Sequence, residues 1–175
     1  MFVLMDANDD NTPSGGSIPT VHNRLRDAIE RAERHGARLA VLHVQLDLEA
    51  GADREALLGQ LALRLTRALR ATDAVFHGGP DWLLLLLPGV DSVGDAAIVA
   101  RKVLDAIAEP FAVDDRTHRV DGRIGMAIYP DHGFDPDALL RNAEEAMRRA
   151  GTEGGPDVRW HAPRSTMTGQ DDLAS

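Results

Sequence analysis

The sequence has no cysteine among its 175 residues. This excludes disulfides, thiolate zinc sites and cysteine nucleophiles, and it fits a cytoplasmic protein. Positive charge is also scarce, since 19 Lys and Arg face 28 Asp and Glu for a net charge of -9. Nucleic acids and anionic membranes require clustered positive charge, so neither is an expected partner. No apolar run is long enough to span a bilayer, and the first residues lack the basic start of a signal peptide.

Hydrophobic residues make up 43% of the chain, which is enough for one domain with a sizeable core. We expect the domain over residues 20–161, with flexible tails over 1–19 and 162–175. Apolar stripes of helical spacing that begin at suitable capping residues predict helices over 20–35, 53–70, 91–108 and 135–150. Short β-prone runs predict strands over 39–46, 73–77, 82–87, 110–113, 118–129 and 157–161. A turn over 114–117 is expected between two of them, and Pro88 and Gly89 are expected to end the strand before the third helix.

Helices and short strands alternate along the chain, and one hairpin lies within the predicted sheet. This order predicts an α/β fold of the α+β sandwich type, with a central mixed sheet of about five strands and helices on both faces. The first long strand alternates between an apolar face and a face that carries His43, Gln45 and Asp47. Alternation favours a solvated side for these polar residues, and a functional site on this face is the alternative.

Four segments in order resemble the GGDEF domain of the bacterial diguanylate cyclases. They run from Leu39 to Asp47, Leu69 to Val75, Ile124 to Gly133 and Leu139 to Met147. The resemblance extends from about Leu25 to His161 and implies the GGDEF fold, which is the nucleotide-cyclase-like fold. Function does not follow from the fold alone, so each site position needs its own argument.

Members of this family join two GTP molecules into cyclic di-GMP with the help of a magnesium ion. The resemblance implies that the metal lies between an aspartate on the first strand and the acidic third residue of a five-residue signature. Here the strand position is Gln45, and a neutral amide is a poor ligand for magnesium. Asp47 matches a second aspartate of that strand, which is not the usual ligand.

The hairpin after Asp73 can be aligned with the signature in two ways. Placing Gly78 and Gly79 on the signature glycines requires a gap on each side. We therefore prefer the gapless alignment, which is anchored by Asp73 before the hairpin and by Pro88 after it. It places the signature on Gly79, Pro80, Asp81, Trp82 and Leu83. The acidic third position is then retained. Proline replaces a glycine that must approach phosphate, and indole replaces an acceptor that reads guanine.

Further positions implied by the resemblance also differ. The connection after Asp47 is too short to carry the base-reading residues of the family. The phosphate-binding lysine of the last helix falls on Gly151, and neighbouring aspartate and tyrosine positions fall on Glu144 and Arg148. We therefore predict a degenerate, non-catalytic member with no catalytic residues, no metal and no cofactor, in which magnesium and GTP binding are lost.

Arg70 and Asp73 match the RxxD pattern that binds cyclic di-GMP as an inhibitor in many family members. Arginine can hold a phosphate through two hydrogen bonds and stack on guanine. The alternative is that Arg70 is a basic residue at a helix end and Asp73 is a turn residue. The corresponding functions are a cyclic di-GMP sensor and a scaffold that binds a signalling partner protein but no nucleotide. An active cyclase is a third, disfavoured function, and the sequence leaves the oligomeric state open.

Two further expectations concern the interior. Arg123 replaces a small polar residue on a strand expected beside the first, where it could supply the lost metal charge to Asp81 and Gln45, or face solvent. The seven histidines have no zinc-type spacing. His43 and His77 are interpreted as packing residues on neighbouring strands rather than as metal ligands.

Overall fold

A computed structural model describes residues 4–6, 18–152 and 158–160 of the chain. Four helices confirm the predicted ones: α1 Ile18–His35, α2 Arg54–Ala68, α3 Val93–Ala108 and α4 Pro136–Thr152. The strands are β1 Leu4–Asp6, β2 Arg38–Asp47, β3 Ala74–His77, β4 Trp82–Val90, β5 Phe111–Val113, β6 Arg116–His118, β7 Asp121–Tyr129 and β8 Val158–Trp160. Capping side chains fix three helix starts: Asp53 accepts from Ala56 N–H, Ser92 from Asp95 N–H and Asp135 from Ala138 N–H.

Six of these strands form one sheet in the order β1-β3-β4-β2-β7-β8, and β5 and β6 form a separate antiparallel pair. The four inner strands pair antiparallel, while β1 and β8 pair parallel to their neighbours. The predicted mixed sheet is therefore confirmed, with one strand more than expected.

Helices cover both faces of the sheet. Successive side chains of β2 therefore point alternately to one covered face and to the other. Ala40, Leu42, Val44 and Leu46 face α2 and α3, while Leu39 and Val41 belong to the core beneath α1 and α4. His43 and Gln45 continue the second face and line a cavity there with residues of both helices. The interpretation of this side as a solvated one is wrong for these two residues, because the helices cover it.

Three local predictions need correction. Leu4–Asp6, within the expected tail over 1–19, pairs with β3 as an edge strand, and α1 begins at Ile18. β4 continues past Pro88 to Val90 because a register shift at Arg38 accommodates an extra residue, Gly89, whose φ of 69° glycine adopts without strain. The predicted strand over 118–129 divides into β6 and β7, which belong to different sheets, and the predicted turn shortens because β6 begins at Arg116. The predicted tail over 162–175 lies outside the described residues. Among the described helices, none is long and apolar enough to cross a membrane.

Candidate functional site

The β3–β4 hairpin ends in a short tip that contacts the centre of the sheet. Gly78 N–H donates to the Trp82 carbonyl at 3.2 Å and closes a loop of Gly79, Pro80 and Asp81. The carbonyl of Asp81 accepts from the backbone N–H of Leu46 at 2.7 Å. The tip is thus held against the end of β2, where Trp82 lies opposite Gln45.

The indole of Trp82 lies over this tip and stacks on His43. Their ring centroids are 4.9 Å apart and their planes differ by 11°. A Cβ at Gly78 would overlap the indole ring, and one at Gly79 would lie 2.5 Å from the indole nitrogen. The two glycines therefore leave the space that the indole fills. Flat stacked rings of this kind stabilise each other beyond the area that they bury.

Burial lowers the pKa of His43 below its ordinary value of 6.5. The charges of Glu144 and Asp81 act in the opposite direction and raise the pKa, and Arg148 lowers it further. The His43 Nδ1 atom is buried and makes no hydrogen bond among the described residues. The imidazole is therefore mostly uncharged at neutral pH, as an aromatic stacking partner rather than a cation.

A cavity of about 470 Å³ opens beside this stack. Its walls come from α1, α4, β2 and the β3–β4 hairpin, and they are mostly apolar. At one end His22 of α1 contacts Asp137 of α4 at 2.7 Å between Nε2 and Oδ1, which joins the two helices. Sequence reasoning missed this cavity, because its residues come from four separated segments. The bulky Trp82 beside two glycines was the local signal for it.

Gln45 and Asp81 are in contact, as expected from the family, in which these two positions hold the metal together. However, the amide Nε2 of Gln45 donates to the backbone carbonyl of Asp81 at 3.2 Å, and the two side chains do not bond to each other. Among the described residues, no group of His, Asp and Glu is arranged to hold a metal ion.

Arg123 lies directly opposite Gln45 on β7, as expected for a strand beside β2. Its guanidinium donates to Asp47 Oδ1 at 3.1 Å, and that carboxylate is about half exposed. Among the described residues no hydrogen bond or ion pair joins Arg123 to Asp81, so the hypothesis that it compensates Asp81 is wrong. The alternative that it faces solvent holds in part, because its side chain is 34% exposed. Arg123 forms a partly exposed ion pair at the end of β2, while its Nε atom is buried without a hydrogen bond among the described residues.

Arg70 and Asp73 form a tight turn between α2 and β3. Asp73 is only 8% exposed, and its Oδ2 accepts from the backbone N–H of Arg70 at 2.7 Å. Burial raises the pKa of Asp73, and the Arg70 N–H and guanidinium partly offset this by stabilising the carboxylate. The Arg70 side chain is exposed.

The remaining predicted positions are dispersed along α4 and the sheet. Glu144 pairs with Arg148 at 3.1 Å on one helix face, and Gly151 lies in the last turn. His77 is not on a strand next to His43, because β4 lies between β3 and β2. That part of the interpretation is wrong.

The family described as “Diguanylate cyclase, GGDEF domain” matches residues 20–156. The chain belongs to the GGDEF family. Among curated relatives, an uncharacterized signaling protein of Caulobacter vibrioides is 32% identical over 139 residues, which are 75% of this chain and 17% of that protein. The bifunctional diguanylate cyclase/cyclic di-GMP phosphodiesterase MucR of Pseudomonas aeruginosa is 33% identical over 75% of this chain and 20% of its own length.

Solved GGDEF structures share the fold. The GGDEF domain of TpbB (YfiN) from Pseudomonas aeruginosa superposes with a TM-score of 0.72 at 28% identity, over 81% of this chain and 93% of that domain. A sensory box/GGDEF family protein from Caulobacter crescentus gives 0.71 at 30% identity, over 78% and 92%. The GGDEF fold predicted from the sequence is confirmed. This GGDEF chain spans only about a fifth of the curated relatives MucR and the Caulobacter protein.

Proposed function

We propose that this GGDEF domain is a non-catalytic module of cyclic di-GMP signalling. The observation that carries the proposal is the hairpin tip, where Trp82 stacks on His43 and lies over Gly78 and Gly79. In the preferred alignment, Trp82 occupies the position at which the family reads guanine, and Pro80 of the same tip occupies a glycine position that approaches phosphate. A bulky ring at that place competes with a nucleotide for the same space.

The residues at the expected metal position do not fit a magnesium ion. Magnesium requires hard oxygen ligands, usually carboxylates. Gln45 instead presents an N–H to the Asp81 carbonyl, and Asp47 is paired with the Arg123 guanidinium. The Gln45 amide binds the Asp81 carbonyl oxygen directly through an N–H. A carboxylate at this position would repel that oxygen unless a cation lay between them.

Phosphate contacts are weakened in the same region. Gly151 offers no side chain where the family resemblance implies a lysine. Arg148 is already paired with Glu144 on the helix surface. Since the binding of a triphosphate depends on several positive groups, these replacements support loss of GTP binding in addition to loss of the metal.

The direct test is incubation of the domain with GTP and magnesium, followed by chromatographic detection of cyclic di-GMP. We expect no product, while the active GGEEF domain of a diguanylate cyclase from Vibrio cholerae serves as a positive control under the same conditions. The variant Gln45→Asp should also yield none, because the Trp82 indole stays in place. Turnover by the unmodified domain would overturn the proposal.

Cyclic di-GMP sensing at Arg70 and Asp73 is a second candidate function. It is favoured by the exposed Arg70 side chain, which has no hydrogen bond or ion pair through its guanidinium among the described residues. A free guanidinium can hold a phosphate through two hydrogen bonds. The competing explanation is that Asp73 serves its own turn, which its bond to the Arg70 N–H supports.

Titration calorimetry with cyclic di-GMP separates the two. If the site binds, Arg70→Ala abolishes the heat, while Arg26→Ala, on the far helix α1, leaves it unchanged. No heat from the unmodified domain would eliminate sensing at this site and favour a scaffold that binds a signalling partner protein.

A further inference from the structure

The cavity beside the Trp82–His43 stack has a buried apolar floor. Val21, Phe76, Leu84 and Met147 line it, and each is at most 7% exposed. Its volume of about 470 Å³ lies in the range of small-molecule sites, which are mostly apolar with a few polar groups. The cavity can therefore accept an apolar body of modest size.

Two of its wall residues are flat, parallel aromatic rings. Trp82 and His43 stack at 4.9 Å, and the buried imidazole is mostly uncharged. Aromatic ligands gain from offset or edge contacts with such rings in addition to the area that they bury. The wall therefore favours a planar aromatic ligand over an aliphatic one of equal size.

The rim of the cavity carries one arginine that pairs with no acidic side chain in the described part of the chain. Arg141 is exposed and has no hydrogen bond or ion pair there. The other charged rim residue, Glu144, pairs with Arg148 at 3.1 Å. His22 contacts Asp137. The rim therefore attracts a single negative charge next to the apolar floor.

We propose that this cavity binds a planar aromatic carboxylate. Its ring lies against the floor and the Trp82–His43 wall, and its carboxylate pairs with Arg141. One guanidinium matches one carboxylate through two parallel hydrogen bonds, whereas a triphosphate would bring several charges to a rim with a single free cation. This site goes beyond the proposed function and does not depend on the loss of cyclase activity.

Two ligands of equal shape test the proposal: 2-naphthoate and its neutral amide, 2-naphthamide. Calorimetry measures affinity, and the NMR signal of the Trp82 indole N–H reports the location. A Trp82→Phe variant assigns that signal against Trp160. We expect 2-naphthoate to shift the indole signal and to bind at least about tenfold more tightly than the amide.

The exposed Arg141 can be replaced without disturbing the core. Arg141→Gln should weaken naphthoate binding by about tenfold, to the level of the amide, and leave amide binding unchanged. Arg101→Gln, on α3 at the opposite face of the sheet, is the matched control and should change neither. The proposal is overturned if naphthoate does not bind, if both ligands bind equally, if both arginine variants weaken binding alike, or if binding leaves the indole signal unmoved.

Discussion

Asp73 is a charged residue placed almost entirely out of solvent, and its carboxylate has a local task. It accepts the Arg70 N–H, the first backbone donor after the end of α2 and Leu69. Burial without that hydrogen bond would leave both a carboxylate and an N–H unsatisfied. At the scale of single residues, the Asp73 side chain of the RxxD pattern is thus explained by the turn, whereas the Arg70 side chain is exposed.

This division predicts that replacing Asp73 lowers the free energy of unfolding and that replacing Arg70 barely changes it. Asp73→Ala should lower the free energy of unfolding by about 1–2 kcal/mol, because it leaves a backbone donor unpaired. Arg70→Ala should change it by less than about 0.5 kcal/mol, as expected for an exposed side chain. Urea denaturation of both variants measures this. Equal destabilisation would show that the arginine side chain also holds the turn.

His43 should make stability depend on pH. Its pKa is lowered on folding, so the unfolded state takes up a proton first as the pH falls below 6.5. His43 therefore contributes stability that is fully present above pH 6.5 and is lost as the pH falls towards its lower folded pKa. His43→Phe keeps a ring against Trp82 and removes the titration.

Urea denaturation of both proteins at pH 5.5, 6.5 and 7.5 is the measurement. As the pH falls, the free energy of unfolding of the His43→Phe variant should rise relative to that of the unmodified protein. The charges of Glu144 and Asp81 reduce this effect and that of Arg148 increases it. A difference that is constant with pH would mean that His43 titrates normally in the fold.

At the scale of elements, α4 approaches β7 so closely that one position admits only glycine. A Cβ at Gly125 would overlap the backbone carbonyl of Ala143 and the backbone nitrogen of Met147. Backbone atoms cannot rotate away as a side chain can. This contact fixes the helix that forms one wall of the cavity, so packing of the sheet and shape of the site depend on the same residue.

Gly125→Ala should therefore destabilise the domain by about 3 kcal/mol, at the upper end of overpacking effects. Gly59→Ala is the matched control, because this exposed helical glycine of α2 has open space around its Cβ position. The control should stabilise by about 1 kcal/mol through helix propensity. Thermal unfolding of both variants is the measurement, and a neutral Gly125→Ala would contradict the close approach of α4.

The hairpin tip gives another prediction at this scale. Gly78→Ala places a methyl group inside the volume of the Trp82 indole, which must then leave His43. We expect loss of near-ultraviolet dichroism from the stacked indole and a red shift of its fluorescence. Gly94→Ala, at the exposed start of α3, should leave both spectra unchanged. Unaltered spectra in the hairpin variant would argue against the stack.

What the sequence predicts well at this scale is local. Asp53 caps α2 because its carboxylate reaches an N–H three residues ahead, a relation that the sequence displays. The stacking of Trp82 on His43 and the pairing of Arg123 with Asp47 join strands that are distant along the chain. Strand order decides such contacts, and β1, with three residues, has too short a pattern to reveal its pairing.

At the scale of the molecule, the sheet separates two surfaces. One core, under α2 and α3, consists of apolar side chains, of which only Phe111 is aromatic among the buried residues that the structure describes, whereas the cavity and the stack lie under α1 and α4. Substitutions on the second face can therefore accumulate without loss of the first core.

The short edge strands should also protect the sheet from association. β8 covers the outer edge of β7, a strand of nine residues that is otherwise open to pairing with another chain. Replacing Val158, Arg159 and Trp160 by glycine and serine should cause concentration-dependent association. Light scattering over a concentration series would detect it, and a monomer at all concentrations would mean that the β7 edge is protected in another way.

Strand directions also determine where neighbouring sequence can attach. β1 and β8 lie at opposite edges of the sheet and run in opposite directions. The first residue of β1 and the last residue of β8 therefore both lie at the end of the sheet opposite the hairpin tip. Five strand spacings of about 4.8 Å hold these two points about 24 Å apart. In a longer polypeptide, both described edge strands would therefore present their outer ends at the end of the sheet away from Trp82.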